Sequence, residues 1–551
     1  MKSETSQPKT DLTKKPDLKE HGTGTGPSRS QRPVYTDFFP PCNNACPAGE
    51  NIQAWLSHAQ AGRYFEAWKC LTDDNPMAAI HGRVCYHPCE SSCNRGSVDT
   101  SVSIHSVERF LGDMAISEGW AFPAPKRNSG NRVLIIGSGP SGLSAAYHLA
   151  RLGHDVTIYE AGPMAGGMMN FGIPAYRLPR NVLRAEIKRI EDLGVKIILN
   201  HKVEDVLAEK TAGNFDAVFI AIGAHIGKKT DIPARDASKI LDAVTFLKDV
   251  ELGNTPAIGR RVAIYGGGNT AMDAARTAKR LGAEEALIIY RRDREHMPAH
   301  DFEADEALSE GIKIHWLTTI RDFDTASMTV ERMEIKDGKP VPTGTFETLE
   351  ADSVILALGQ ATETAFLEGV EGVSFDSDGT VIVDKHMMTG HAGIFAGGDM
   401  VPSERTVTIA TGHGKKAARN IDAWLSGKTY EKPASNALVP VEQLHIWYRT
   451  SAEAREQAHV EPDKAVTGFE EIVSGLSEEE ARYEAQRCYS CGNCFECDGC
   501  FGACPEHAII KLGSGMRYKF NYSLCTGCGT CFEQCPCHAI DMIAEPKAAT
   551  I

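Results

Sequence analysis

The residues with the most chemical character lie near the end of the chain. Cys494-x2-Cys497-x2-Cys500-x3-Cys504-Pro505 is followed by Cys525-x2-Cys528-x2-Cys531-x3-Cys535-Pro536. Three closely spaced thiolates wrap one iron–sulfur cube, and the fourth, set before a proline, reaches across to the neighbouring cube. On this spacing Cys494, Cys497, Cys500 and Cys535 hold one [4Fe–4S] cluster, and Cys525, Cys528, Cys531 and Cys504 hold a second. Disulfides do not require such spacing, and zinc has no use for the run twice with a proline after each fourth cysteine. A unit of this kind carries single electrons and makes no bonds. The remainder of the chain must therefore show where electrons enter and leave.

Two glycine-rich turns answer that. Arg132–Ile136 reads as a buried strand, then come Gly137-x-Gly139-x-x-Gly142, with Pro140 and Ser141 in the turn, and an apolar helix through Ala150. The glycines let the backbone approach a pyrophosphate, which the helix N-terminus attracts with its free N–H groups and positive dipole end. The next strand, Asp155–Tyr159, ends at Glu160, 18 positions after Gly142, where a carboxylate can meet a ribose hydroxyl. The arrangement recurs at Arg261–Tyr265, with Gly266-x-Gly268-x-x-Ala271 after it and Asn269 and Thr270 opening the helix. Here the following strand, Ala286–Tyr290, runs into Arg291-Arg292 where Glu160 stood. Two cations in place of an anion suit a 2′-phosphate, so NADPH is expected in preference to NADH. Further on, Gly393-Ile-Phe-Ala-Gly-Gly398-Asp399 places a carboxylate after a short apolar strand, and a helix beginning near Thr406 carries Gly412 and Gly414. In flavoproteins with two dinucleotide domains such an Asp contacts the ribityl chain of FAD. Thr406, Val407 and Thr408 are then candidates for the flavin ring, and Gln360 for the domain hinge or the nicotinamide.

Composition fits this reading. The chain has 551 residues, more than one core accommodates, with 42% hydrophobic residues and 51 glycines. A formal charge of −15 argues against nucleic acid. The seventeen cysteines cluster towards the two ends rather than scattering, and Met1–Pro33 has no apolar core of a secretory signal, so a reducing cytoplasm is expected. The one long uncharged stretch, Val133–Ala150, contains the first glycine turn, so no membrane span is expected.

The expected class is α/β, with two Rossmann-like dinucleotide domains, an α-helical iron–sulfur domain before them and an α+β ferredoxin-like domain after them. Residues 1–35 read as a disordered tail and 36–125 as the helical iron–sulfur domain. Residues 130–240 and 351–426 form the two parts of an FAD domain, split by an NAD(P)H domain at 241–350. Residues 427–485 are a linker with some helix, where Ser477 and Glu480 form a capping box, and 486–545 are the ferredoxin-like unit.

Several further stretches carry a family resemblance. Gly166-Gly167-Met-Met-Asn-Phe-Gly-Ile-Pro174, Tyr176-Arg-Leu-Pro179, Tyr290-Arg-Arg-x4-Met297-Pro298, and Gly82-Arg-Val-Cys85 with Cys89 and Cys93 resemble the glutamate synthase small (β) subunit and its relatives over residues 36–426. The resemblance implies FAD, bound in part at Gly167, NAD(P)H, and N-terminal [4Fe–4S] clusters exchanging electrons with a partner. Its fused C-terminal unit, like a bacterial 2[4Fe–4S] ferredoxin, looks like the branch that serves other reductases and 2-oxoacid oxidoreductases. By the same resemblance, Cys46, Cys85, Cys89 and the oxygen of Glu108 make one N-terminal cluster. A second would have Cys42 and Cys93 but lacks the upstream Cys-x2-Cys that relatives supply. Cys488-x2-Cys491 is spare and could complete it, giving four clusters; otherwise the pair is idle and the total is three. Cys70 and Cys537 are left over in either case.

The expected function is NAD(P)H:acceptor oxidoreduction, as the electron-transfer subunit of a hetero-oligomer with a catalytic partner or with ferredoxin as acceptor. A stand-alone ferredoxin–NADP oxidoreductase, a glutamate synthase small subunit and a non-catalytic electron-relay scaffold are the alternatives. A thiol–disulfide reductase is excluded, because residues 94–487 contain no cysteine to sit beside the flavin. No general acid or base is required for the chemistry, so no catalytic side chain is assigned.

Overall fold

The computed structural model describes residues 29–546 apart from 229, 231, 234–238 and 448. The first dinucleotide unit is a five-stranded parallel sheet in the order 394–396, 217–220, 132–136, 155–159, 196–198. Its central strand Arg132–Ile136 is apolar and buried from Val133 onward, as a parallel strand covered on both faces must be. The helices Pro140–Arg151 and Val407–Leu425 cross closely over this sheet. A Cβ at Gly414 would lie 2.2 Å from the Ser141 carbonyl oxygen, so only glycine permits this crossing.

The inserted unit is a second five-stranded parallel sheet, ordered 313–315, 285–289, 261–265, 353–356, 240–242. This corrects the expected boundaries. Ser353–Leu356 was expected in the second part of the FAD domain, yet it pairs between Arg261–Tyr265 and Ile240–Asp242. An antiparallel sheet of residues 318–350 precedes it and returns the chain to an interior position of the inserted sheet, next to its last strand. The two units are joined through a short antiparallel pair, Ile226–Gly227 with Gln360–Ala361.

The N-terminal helices Ile52–Gln60, Tyr64–Thr72, Ala78–Val84 and Ile104–Ser117 bury Trp55, Trp68, Leu71 and Val107 in a core continuous with that of the first sheet. The helical unit is thus packed onto the flavin-type sheet as one body. Residues expected in the disordered tail include the strand Gln31–Tyr35, which pairs antiparallel with Ile540–Ala544 at the far end of the chain. The ferredoxin-like unit would otherwise present an open strand edge, and the N-terminal strand satisfies its backbone groups. Arg29 fastens the pair, donating to Glu545 (2.7 and 2.6 Å) and to the carbonyls of Tyr522 (2.6 Å) and Cys525 (3.0 Å). Tyr35 stacks on Phe520 with ring centroids 4.9 Å apart. Residues 1–28 of the expected tail lie outside the described residues. The helix Glu478–Arg487 opens with the expected Ser477–Glu480 capping box and ends at Cys488.

Candidate redox site

A cavity of about 700 Å³ opens between the two dinucleotide units, within the range of cofactor sites. Its walls include Gly137, Gly139, Pro140, Ser141, Glu160, Gly167, Gly398, Asp399, Thr406 and Val407 from the first unit. Asn269 and Thr270 reach it from the second, and Gln360 from the hinge. Glu160 is fixed at the end of its strand by the N–H groups of Ser138 (3.0 Å) and Gly162 (2.7 Å). Gly142 does not line the cavity. Its role is packing, since a Cβ there would meet the Gly137 carbonyl oxygen at 2.0 Å.

These residues fit a bound flavin dinucleotide. The space in front of Gly139 is open, and the Ser141 hydroxyl is buried without a partner at the N-terminal turn of its helix. Burial pushes the Asp399 carboxyl up to about 6, and Arg405 pulls it part of the way back. A hydroxyl-bearing ligand would relieve both groups. In the inserted unit Gly266, Gly268, Arg291 and Arg292 do not line the cavity. Arg291 is exposed and Arg292 half-buried, with an Nε that has no partner, as an anion site would leave it. Gln360 sits at the hinge; its Nε2 lies 3.5 Å from Thr270 Oγ1, and its carbonyl accepts from Arg405 at 2.6 Å.

Thr408 departs from the expectation. It was placed at the flavin ring, but it is buried away from the cavity and its hydroxyl donates to Cys85 Sγ at 3.0 Å. The cause is helical geometry. Thr406 caps the helix and Val407 opens it facing the cavity; each further residue turns by about 100°, which carries Thr408 to the other side. The same turn of helix therefore faces the cavity and touches a thiol.

That thiol belongs to a buried group. The Cys46, Cys85 and Cys89 thiols are all raised by burial and then by neighbouring carboxylates, with Glu108 acting on both Cys46 and Cys85; Cys85 adds to the effect on Cys46, and Cys46 and Cys85 add to that on Cys89. Glu108 is itself buried and shares the Asn75 amide with Glu50, at 2.9 Å to each. Glu50 escaped the sequence reading. It lies four residues after Cys46, also accepts from Trp55 Nε1 at 3.1 Å, and burial pushes its carboxyl up to about 7. The second set also meets: Cys42 is raised by burial and then by Cys488, Cys93 and Cys491. In the C-terminal unit Cys500 feels Cys494, Cys535 and Cys497, while Cys531 feels Cys525, Cys528 and Cys504. A small cavity is lined by Cys504, Cys525, Cys528 and Cys531 together. Cys497 and Cys528 are exposed, so each group of four has an edge at the surface.

A charged latch between the units was also missed. Arg177, in the Tyr176–Pro179 stretch, lines the cavity with Asp273 and pairs with it through two bonds (2.9 and 2.8 Å), and also with the buried Glu303. Asn269 Nδ2 donates to Tyr86 of the helical unit at 2.5 Å. Nothing in local spacing reveals an ion pair between residues so far apart in sequence.

Comparison with known proteins agrees with this geometry. Residues 131–414 match the pyridine nucleotide-disulphide oxidoreductase family, residues 29–120 the dihydropyrimidine dehydrogenase domain II with a 4Fe-4S cluster, and residues 518–541 a 4Fe-4S binding domain. The NADP(+)-dependent formate dehydrogenase subunit beta of Moorella thermoacetica is 37% identical over 82% of this chain and 70% of its own length. The NADPH-Fe(3+) oxidoreductase subunit beta of Geobacter sulfurreducens is 33% identical over 82% of this chain and 75% of its own. The glutamate synthase [NADPH] small chain of Escherichia coli is 31% identical over 70% of this chain and 89% of its own. No helix among the described residues is long and apolar enough to cross a membrane. The chain belongs to the family of FAD- and NAD(P)H-dependent iron–sulfur oxidoreductases typified by the glutamate synthase small subunit, with a 4Fe–4S ferredoxin-like unit joined at its C-terminal side.

Proposed function

We propose that this chain transfers electrons between NADPH and a catalytic partner subunit, as the electron-transfer member of a hetero-oligomeric redox complex in a reducing cytoplasm. When bound, the nicotinamide supplies a hydride, FAD divides its two electrons into single steps with release of a proton, and the clusters carry them singly. The chain's own residues do the positioning. Gly139 and Ser141 offer backbone and hydroxyl groups to a pyrophosphate, Glu160 and Asp399 accept from sugar and ribityl hydroxyls, and Arg291 and Arg292 take the 2′-phosphate. Cys46, Cys85, Cys89 and Glu108 hold the cluster nearest the flavin.

One observation carries the reading. Thr406 and Val407 line the cavity while Thr408 donates to Cys85 Sγ, so the flavin site and the first thiol group share one turn of helix. The partner is proposed from the relatives, two of which are named as beta subunits. The test is anaerobic addition of NADPH to the holoprotein, followed by a viologen dye. Bleaching of the flavin and reduction of the dye, faster with NADPH than with NADH, are expected. No reduction by either nicotinamide would leave only a relay scaffold. Stoichiometric co-purification of a second polypeptide from the native host is expected; recovery of the chain alone, active with free ferredoxin, would overturn the partner assignment.

A further inference from the structure

Cys488-x2-Cys491 lies outside the eight-cysteine run, yet the fold spends many contacts on holding it in place. The loop follows the helix Glu478–Arg487 and is seated on the N-terminal helical unit. Gln53 Nε2 donates to Ser490 Oγ at 2.5 Å, and Arg95 Nη1 to the Arg487 carbonyl at 2.7 Å. The Asn94 amide donates to Cys491 Sγ at 3.5 Å and to the Val439 carbonyl at 3.0 Å. This brings the pair against Cys42 and Cys93, and all four sulfurs lie within electrostatic reach of one another.

We propose that Cys42, Cys93, Cys488 and Cys491 together hold a further [4Fe–4S] cluster, so that a segment near one end of the chain completes a cluster begun at the other. The proposal rests on the electron-transfer reading above, and three observations carry it further. First, the loop repeats the backbone of the ferredoxin-like turns. Positive φ occurs at Ser490 and Gly492 (+56° and +75°), at Glu496 and Asp498 (+61° and +64°), and at Gly527 and Gly529 (+72° and +80°), each time just before and just after the second cysteine. A non-glycine residue such as Ser490 adopts this conformation at a cost, which indicates a specific need. The need is visible: the Ser490 N–H points at Cys488 Sγ (3.3 Å), as Gly527 N–H points at Cys525 Sγ (3.4 Å). Such donors stabilise the charge on a ligating sulfur.

Second, no three of these four sulfurs lie mutually within 4.8 Å, a wider spread than one ion gives its ligands. Among the described residues, the groups of three candidate ligands mutually within 4.8 Å contain no cysteine. Tetrahedral zinc with Zn–S near 2.3 Å would bring its sulfurs to about 3.8 Å of each other. Third, the place is right for a relay. Cys42 acts electrostatically on Cys89 of the flavin-side group, and the Gly492 N–H donates to the Cys537 carbonyl (2.6 Å), two residues from Cys535 of the ferredoxin-like unit. The site thus lies between the flavin and the terminal clusters.

Metal and sulfide analysis of anaerobically purified protein tests this. About sixteen iron atoms and sixteen acid-labile sulfides per chain are expected, four per cluster, and no zinc. The Cys488→Ala/Cys491→Ala variant is expected to hold about twelve of each, with one cluster signal absent from the low-temperature EPR spectrum of the reduced protein. Cys70→Ala should retain the full content. Wild-type protein with about twelve irons, one zinc with about twelve irons, or an unchanged iron content in the double variant would each overturn the proposal. The wild-type count decides even if the double variant fails to fold. Bleaching of the wild-type flavin by NADPH is read on the same sample, so failure of the extra cluster and failure of the proposed function appear separately.

Discussion

Replacing Thr408 with Val removes one hydroxyl and leaves the side chain close to its original volume. Thr408 is 4% exposed and donates to Cys85 Sγ at 3.0 Å, so no water takes the place of the lost donor. Reduction of a cluster adds negative charge, part of which falls on the ligating sulfurs, and a donor aimed at a sulfur stabilises that state. Its loss must therefore lower the potential of the cluster proposed at Cys85. A hydrogen bond of this kind is worth about 0.5–1.5 kcal/mol, and a one-electron couple moves about 59 mV per 1.36 kcal/mol, so the shift is about 20–65 mV downward. Thr406 and Val407, which line the flavin cavity, are untouched. An anaerobic redox titration followed by EPR for the clusters and by visible absorbance for the flavin reads both. One cluster wave should move and the flavin midpoint should stay. Unmoved cluster waves, or a flavin shift as large as the cluster shift, would refute the reasoning.

Arg291→Ala/Arg292→Ala should lower kcat/KM for NADPH by about 10–150-fold per charge-assisted bond lost, about 1.5–3 kcal/mol each, and leave NADH nearly unaffected; equal loss with both nicotinamides in steady-state assays would remove the 2′-phosphate assignment. For Asp399 the folded pKa, about 6, is raised above the ordinary carboxylate value. A raised acid favours folding below its unfolded pKa, and that contribution disappears as pH rises through the folded pKa. Flavin-free protein should therefore lose about 2–3 kcal/mol from this group between about pH 4 and 7, and Asp399→Asn should flatten the trend of melting temperature with pH. Arg29→Ala removes the bonds that hold the N-terminal strand on the ferredoxin-like unit, including those to the Tyr522 and Cys525 carbonyls. It should cost about 2–3 kcal/mol locally and speed iron release to a chelator from the adjoining cluster, measured by stopped absorbance time courses.

What the sequence makes legible follows from the range over which each signal acts. The turns at Gly137 and Gly266, the strands beside them and the cap at Thr406 are local in sequence, and each lies where spacing places it. Three features lie beyond that reach. Residues 31–35 look like part of a polar tail until the strand Ile540–Ala544 is beside them. Ser353–Leu356 has the composition of any buried parallel strand, and only the pairing decides which sheet takes it. Glu50 becomes notable only when Asn75 brings it against Glu108.

Thr408 and the Cys488 pair mark the two limits of reasoning by motif. A helix start tells which residues are near a ligand but not which way each faces, and a rotation of about 100° per residue separates a cavity-lining Val407 from a sulfur-facing Thr408. Counting cysteines shows that Cys488 and Cys491 are in excess of the ferredoxin-like run, yet a count cannot distinguish an idle pair from ligands. The distinction lies in the backbone. An idle Cys-x2-Cys has no reason to hold Ser490 at positive φ with its N–H on a sulfur, or to engage Gln53, Asn94 and Arg95 of a unit at the other end of the chain. Those contacts order a loop that would gain entropy by release, and a shared cluster is the interaction strong enough to select for them.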